Sequence, residues 1–360
     1  MTGRTFVPFD SLWHMAIDVP YSFLVRDDDQ AWSCGQLALD RDANVLAPHD
    51  LPAQSRVVAD YVAEIIGRAG LDADDIARLV LFVDAGHLSD ADDMRAAFHT
   101  RLSSNIILDI VPVPHFYYDG VVLEVDVFCG ALEPALPTGP GLTLRRDRDV
   151  VWASIDGPVS EIEDAARRLD LALADLGVTR SHLVSTHWTI PSTDLVPATE
   201  LAADLGLLPD PGAAVSSGSA NGTTNGRFLF ARNPAVADAT STSGNVVTSA
   251  ARSGRWGWIQ ARSIDPSDDL VEQTRQIMAA IGARLGDHGV GFDAVVKATS
   301  LYVGGSSAAE LHDNMSVRNG YYQRPGPAST GLPVFGLADD RSRIVVDVMY
   351  ARDDLRADHV

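Results

Sequence analysis

A pattern that occurs three times along the 360-residue chain constrains the fold more than any other feature. Each copy has a tryptophan-containing strand, a long amphipathic helix, an apolar strand and a second helix. The best copy begins with Pro20–Asp40, a predicted hairpin in which an acidic turn precedes Trp32. Trp152 and Trp258 mark the same position in the other copies. Because each copy of such a repeat is one supersecondary unit, we predict three domains, at residues 1–134, 135–240 and 241–360.

The hydrophobic pattern of the first copy predicts the order β-β-α-β-α-β-β. The helix predicted over residues 50–70 has Val58, Val62 and Ile65 on one face. Ser89 is the predicted N-cap of the second helix. The strands that follow the hairpin are predicted at Leu79–Val83, Asn105–Val111 and Val121–Phe128, and residues 1–19 are predicted to pack across this unit as a leader.

The same order is predicted for the second and third copies, so the fold class is α+β. The first and third copies align through Gln54 and Gln273, each near the start of its long helix. A Ser/Gly/Asn-rich stretch at residues 216–226 is predicted to be a mobile loop. The predicted helices of these copies are Ile162–Leu176, 194–208, 270–289 and 307–323, and the strands are 150–157, 181–190, Ala213–Ser216, Arg227–Ala231, 254–265, 291–303, 326–337 and 342–351.

Charge and composition argue against several classes of function. The net charge is -21 and the pI is about 4.6, so the chain repels nucleic-acid backbones and anionic membrane surfaces. No apolar run approaches the roughly 20 residues of a membrane span. Cys34 and Cys129 are the only cysteines, and no Cys/His spacing matches a zinc site. We therefore predict a cytoplasmic protein whose partner is a small molecule, without a metal, a cofactor, nucleic acid or a membrane.

Several short motifs of the first copy occur in the order found in a known family. These motifs are Pro20-Tyr21-Ser22, Ser33-Cys34-Gly35-Gln36, Leu39-Asp40, Gln54, Asp75-Ile76 and Leu123-Glu124-Val125-Asp126-Val127. Through them the first copy resembles the Rid/YjgF family, also called L-PSP endoribonuclease-like. The third copy is similar through residues 292–303 and 327–330, and the second mainly through the position of its elements.

The resemblance implies chorismate-mutase-like α+β domains, which in the family form homotrimers with a ligand cleft at each interface. Three such domains in one chain imply a single-chain pseudo-trimer, because each sheet needs neighbours to bury its exposed face. We therefore expect a monomer with internal pseudo-three-fold symmetry.

The resemblance also implies an imine or enamine deaminase, a hydrolase, with a tyrosine, a serine, a glutamate and an arginine in the cleft. Tyr21 matches the tyrosine, Cys34 stands at the serine position, and Glu124 matches the glutamate. The arginine has no match: the first copy has Asn105-Ile106 in the corresponding strand, and the third has Ser329.

Other residues are candidates to bind the substrate, and the arginines among them are candidates to replace the missing one. They are Arg262, Arg324, Arg26, Ser329, Thr330, Ser154 and Asn105. Structural roles are alternatives for each: Glu124 would be a solvent-facing strand residue, Cys34 a small buried residue and the arginines surface charges.

Two other functions remain open at this point. The missing arginine is compatible with a binding protein that holds a small metabolite without chemistry. The second and third copies also resemble the Rid-like halves of chorismatases, including Asn233-Pro234-Ala235-Val236 between them. The ribonuclease activity attached to some family members is disfavoured by the charge of -21.

Overall fold

The structure is a computed structural model that describes residues 3–9, 12–136, 138–218, 222–266, 269–304 and 307–355. The helices are α1 (Leu51–Arg68), α2 (Ala91–Arg101), α3 (Val159–Ala174), α4 (Leu195–Asp204), α5 (Leu270–Asp287) and α6 (Ala308–Asn319). The strands are β1 (Thr5–Pro8), β2 (Ser22–Asp27), β3 (Gln30–Ser33), β4 (Gln36–Leu37), β5 (Ile76–Asp84), β6 (Ile107–Val113), β7 (Leu123–Cys129), β8 (Leu142–Arg146), β9 (Val150–Gly157), β10 (Leu183–Ile190), β11 (Val215–Ser216), β12 (Thr224–Ala231), β13 (Val236–Ser243), β14 (Val246–Ser253), β15 (Trp256–Ser263), β16 (Val295–Tyr302), β17 (Ala328–Pro333), β18 (Gly336–Leu337) and β19 (Ile344–Ala351).

These strands form three mixed sheets, ordered β1-β2-β3-β7-β5-β6, β18-β11-β10-β12-β9-β8 and β13-β14-β15-β19-β16-β17, with β4 pairing β7. We call the elements β1–β7 with α1 and α2 unit 1, β8–β12 with α3 and α4 unit 2, and β13–β19 with α5 and α6 unit 3. In each unit the strand before the first helix pairs with the last strand. The last strand then pairs with the strand after the first helix, and that strand has a parallel neighbour. The predicted α+β fold with three repeats is confirmed.

The tryptophans of the three copies occupy one equivalent position. Trp32 faces Phe128, Trp152 faces Leu229 and Trp258 faces Met349 on the last strand of each sheet. Residues can therefore be compared between units by counting along the strands from these pairs.

Gln54 and Gln273 also make the same contacts. The Gln54 amide donates to the Gly120 carbonyl and accepts from the Val122 N–H, and Gln273 binds the Arg341 carbonyl and the Arg343 N–H. In units 1 and 3 this buried side chain fixes the long helix to the loop before the last strand.

Several boundaries differ from the predictions. Helix α2 is preceded by Asp90 rather than the predicted N-cap Ser89, and the Asp90 side chain makes no capping hydrogen bond. Strand β6 begins at Ile107, so Asn105 precedes it instead of opening it. The leader does pack on unit 1, where β1 pairs with β2 and Trp13 is buried. The edge strands β1, β8 and β13 were not predicted, since an edge strand need not have a strongly apolar pattern. The internal strand β14 was not predicted either.

The predicted mobile loop at residues 216–226 is only partly covered by the structure. Residues 219–221 lie outside the described residues, and Thr224–Gly226 belong to strand β12. That prediction is therefore wrong for its last three residues and is not assessed for residues 219–221.

The three units pack against one another through sheet faces that would be exposed in a single unit. Trp32 of unit 1, Val184 of unit 2 and Trp258 of unit 3 belong to one buried apolar cluster. Strand β18 of unit 3 pairs with β11 and so extends the sheet of unit 2. Side chains at these interfaces are thus held by two units at once. No described helix is long and apolar enough to cross a membrane.

Candidate functional site

A cleft of about 80 Å³ lies between units 1 and 3, and all three predicted catalytic residues line it. The Ser22 N–H donates to the Pro327 carbonyl at 3.1 Å, and the Ser22 hydroxyl donates to the Gly326 carbonyl at 2.8 Å. These bonds fix the start of β2 beside β17 and bring Tyr21 to the interface. The residues on the walls that matter below are Tyr21, Cys34, Gly35 and Glu124 of unit 1 and Tyr302, Arg318, Ser329 and Gly331 of unit 3.

Glu124 is the acidic group of this cleft. It lies on β7 opposite Leu37 and Phe82, and its carboxylate sits against the backbone of Gly35. A Cβ atom on Gly35 would be 1.7 Å from Glu124 Oε1, so the glycine makes room for the acid. Burial and, to a smaller extent, the neighbouring Asp126 raise the pKa of Glu124 to about 8, although the charge of Lys297 opposes the rise in part. Near neutral pH this carboxyl group can therefore both give and take a proton.

Arg318 supplies the cation that the sequence analysis did not find. It lies in the last turn of α6 on the same face as Leu311, Asn314 and Met315, and its side chain is buried, with a relative exposure of 5%. Its Nε donates to Asn314 Oδ1 at 3.1 Å. No described carboxylate lies within ion-pair distance of it. The sequence contained one signal that could have identified Arg318: it falls on the apolar face of its helix, and a buried arginine is rare unless it has a partner.

The position of Arg318 depends on a second glycine. A Cβ atom on Gly331 would lie 2.6 Å from Arg318 Nη1, so the guanidinium passes directly over β17. A guanidinium that is buried, charged and not paired with a carboxylate is well suited to bind a carboxylate ligand.

Tyr21 and Ser329 complete the polar part of the cleft. The Tyr21 hydroxyl is buried and makes no hydrogen bond of ordinary geometry within the described chain. Burial raises the pKa of Tyr21, while Arg318 and Ser329 lie near enough to lower it in part. A neutral phenol without a protein partner can donate to a bound ligand or water.

Cys34 forms a wall of the cleft. The Gln36 amide donates to Cys34 Sγ at 3.2 Å. Burial raises the pKa of the Cys34 thiol, and the Lys297 charge opposes this only in part. The thiol is therefore protonated at neutral pH, which disfavours a nucleophilic role.

Five predicted binding residues lie away from this cleft. Arg262 donates to both carboxylate oxygens of Asp210, at 2.8 and 2.9 Å, and also pairs with Asp339. Arg324 is mostly exposed and pairs with Asp18. Asn105 is exposed before β6. Ser154 lies at the interface of units 1 and 2, as described below. Arg26 binds the carbonyls of Ala69 and Gly70 at the end of α1.

Thr330 lies in a buried network behind the cleft. Lys297 donates to Asp126 Oδ2 at 2.8 Å, to the Thr330 hydroxyl at 2.9 Å and to the Ser33 carbonyl at 2.9 Å. The Thr330 hydroxyl donates to the other oxygen of Asp126 at 2.5 Å. This network joins units 1 and 3 directly beneath Glu124 and Cys34.

The equivalent position between units 1 and 2 is filled by protein side chains. Counting from the tryptophan pairs, Ser154 corresponds to Cys34 and Asn225 corresponds to Glu124. Both donate to Asp109 of unit 1, Asn225 at 3.2 Å. Between units 2 and 3, Gln260 corresponds to Cys34 and Val345 corresponds to Glu124. The position of Glu124 is therefore not occupied by an acid in unit 2 or in unit 3. Among the described residues, no His/Cys/Asp/Glu group could hold a metal ion.

Comparisons with known proteins support the predicted resemblance. No family model matches the chain. The chain is similar to a RutC family protein of Sulfurisphaera tokodaii, with 24% identity over 112 residues that make up 31% of this chain and 86% of that protein. Two solved structures each match about one unit. The YjgF gene product of E. coli is 23% identical with a TM-score of 0.31, over 35% of this chain and 98% of that one. RidA from the Antarctic bacterium Psychrobacter sp. PAMC 21119 is 20% identical with a TM-score of 0.31, over 35% and 98%. The similarity to the RutC/YjgF (Rid) family that the motifs indicated is thus confirmed, over a length that corresponds to one unit of the chain.

Proposed function

We propose that the cleft between units 1 and 3 hydrolyses the imine or enamine form of a small carboxylic acid. One observation carries this proposal: Glu124, with its raised pKa, and Arg318, without a carboxylate partner, line the same cleft of about 80 Å³. Hydrolysis of a C=N bond needs a group that exchanges protons with water, and a substrate carboxylate needs a fixed cation. The partner is a small molecule, and the chain acts as a monomer because it already contains three packed units.

The proposed reaction consumes one water molecule. Arg318 holds the substrate carboxylate, and protonated Glu124 gives its proton to the substrate, at the imine nitrogen or at the enamine carbon. The oxygen of water then bonds to the C=N carbon, and Glu124 takes the proton that water loses. Glu124 passes this proton to the nitrogen, and the C–N bond breaks with release of ammonia. The hydroxyl group left on the carbon then gives its proton to Glu124, which leaves a keto acid and returns Glu124 to its protonated state. Tyr21 and Ser329 position the water or the substrate through their hydroxyl groups, and Cys34 contributes shape.

The test is hydrolysis of 2-aminoacrylate generated in the assay, followed through release of ammonia. The wild-type protein should accelerate it, and Glu124→Gln should reduce kcat/KM by about 10²–10⁴-fold, the usual contribution of general acid–base catalysis. Because protonated Glu124 starts the reaction, kcat/KM should fall as the pH rises through the Glu124 pKa of about 8.

A binding protein without chemistry is the second candidate, favoured by the absence of an acid from the positions of units 2 and 3 that correspond to Glu124. In that case the wild-type rate would equal the uncatalysed rate, while pyruvate would raise the melting temperature through Arg318. If neither rate nor melting temperature changes, both assignments fail.

A further inference from the structure

A second cavity, of about 160 Å³, lies where all three units meet. Its wall contains the three equivalent tryptophans, Trp32, Trp152 and Trp258. On the last strand of each sheet, the residue two positions before the one that faces the tryptophan also lies on this wall. These residues are Asp126, Arg227 and Asp347. The cavity thus lies along the pseudo-three-fold axis and is separate from the cleft that contains Glu124. We call it the axial cavity.

Two of the three cations on its wall are neutralised by protein carboxylates. Lys297 pairs with Asp126 at 2.8 Å, and Arg78 lies 2.9 Å from Asp109. Arg227 differs: its side chain has no hydrogen bond and no ion pair with any described residue, and its relative exposure is 5%. Burying an unpaired cation costs several kcal/mol, and the usual compensation is a counter-ion.

Two further polar atoms on the wall lack a partner in the described chain. The Trp258 indole Nε1 is buried without an acceptor, and Asp347 Oδ2 is buried without a hydrogen-bond donor. His187 Nδ1 lies 3.9 Å from that oxygen. Burial raises the pKa of Asp347 to about 7, and the carboxyl groups of Asp109, Asp126 and Asp347 act on Arg227 only from beyond ion-pair distance. Unpaired buried donors in a polar cavity indicate a bound partner such as water or a ligand.

We propose that the axial cavity binds one small organic carboxylate, with its head group on Arg227 and its apolar part against the tryptophans. One unpaired cation matches one negative charge. A dianion such as phosphate would carry a second negative charge into the cavity, and the described wall has no second unpaired cation to balance it. The indole N–H of Trp258 is a second donor, and the flat apolar walls favour a planar or aromatic body. This proposal does not rest on hydrolysis in the other cleft.

The tryptophans of the axial cavity provide a direct readout. We expect benzoate to change the tryptophan fluorescence of the wild-type protein in a saturable manner, acetate to bind more weakly, and phosphate not to saturate at the same concentrations. Arg227→Met should weaken benzoate binding by at least about tenfold, the effect of losing one charge-assisted hydrogen bond. Arg318→Met is the matched control, because it removes an arginine of the cleft and should leave benzoate binding to the axial cavity within twofold.

The stability of the unliganded protein separates a ligand site from a structural arginine. Removing an unpaired buried cation should leave the melting temperature of Arg227→Met unchanged or raised, whereas removing a structural arginine would lower it. If Arg227→Met does not fold, Trp258→Phe replaces it and should weaken benzoate binding through loss of the indole N–H. Absence of saturable benzoate binding to the wild type, or equal binding by Arg227→Met, would overturn the proposal. Tighter binding of phosphate than of benzoate would also overturn it.

Discussion

Two interfaces can be compared, that of units 1 and 3 and that of units 1 and 2. Both place equivalent strand positions opposite a neighbouring sheet, but the side chains at those positions differ. At the first, Glu124 faces an open cleft, and Arg318 reaches in from α6. At the second, Asn225 and Ser154 occupy the corresponding positions and bind Asp109. A position that can hold a ligand in one case is closed in the other by hydrogen bonds between protein side chains.

The difference follows from having three units in one chain. In a homotrimer every interface has the same residues, so a change that fills one cleft fills all of them. Here Glu124, Asn225 and Val345 have diverged at one equivalent position. Two interfaces can therefore be used for stability while one keeps an acid and an unpaired arginine.

The largest effect expected on this comparison concerns Arg318. Arg318→Met should raise KM for a carboxylate substrate by about 10- to 100-fold, because it removes a charge-assisted contact worth about 1.5–3 kcal/mol. Steady-state kinetics at saturating and limiting substrate would measure it. Arg324→Met, which removes an exposed arginine outside the cleft, is the control and should change KM little. Equal effects of the two substitutions would mean that the cleft does not bind the carboxylate.

A smaller effect is expected when the acid is displaced but not removed. Gly35→Ala places a Cβ atom where Glu124 Oε1 now lies, so the flexible side chain must move. We expect kcat/KM to fall about tenfold, less than the roughly 100-fold that a 1 Å misplacement can cause, with little loss of stability. Gly67→Ala in helix α1 is the control, since a Cβ atom there has nothing within 4 Å. An unchanged rate for Gly35→Ala would argue against an acid–base role for Glu124.

The smallest effect concerns the filled interface. Ser154→Ala removes a hydroxyl from buried Asp109 and should lower the free energy of unfolding by about 1 kcal/mol, as measured by urea denaturation. Imine hydrolysis should stay within twofold of the wild type, because Ser154 is not on the wall of the cleft. A large loss of activity with unchanged stability would show that the interface of units 1 and 2 has a ligand-binding role after all.

Much of the fold could be predicted from the sequence, because the residue patterns that indicate helices and strands are local. Strand β9 was predicted at residues 150–157 and spans those residues, and helix α5 was predicted to within two residues. The three tryptophans were recognised as equivalent because each lies in a similar short strand before a long helix. Strand boundaries such as that of β6 were less accurate, since residues that precede a strand have no distinct pattern.

Only part of the cleft could be predicted from the sequence, for a physical reason. Tyr21, Cys34 and Glu124 belong to motifs within one unit, and the structure brings them to one cavity. Arg318 comes from the second helix of another unit, where no motif marks it. The predicted alternatives Arg262 and Arg324 have protein partners that sequence spacing does not show, because those partners are distant in the chain.

The sequence by itself determined the three-fold repeat, the α+β class, the location of the acid in unit 1 and its absence from the others. Hydrophobic period, turn residues and short motifs are properties of contiguous segments, so one chain read in order contains them. Only the tertiary structure decided which interface stays open, which arginine enters it and which buried cation remains unpaired. These depend on contacts between side chains up to some 200 residues apart, such as Asp126 with Thr330, and packing of the three sheets creates them.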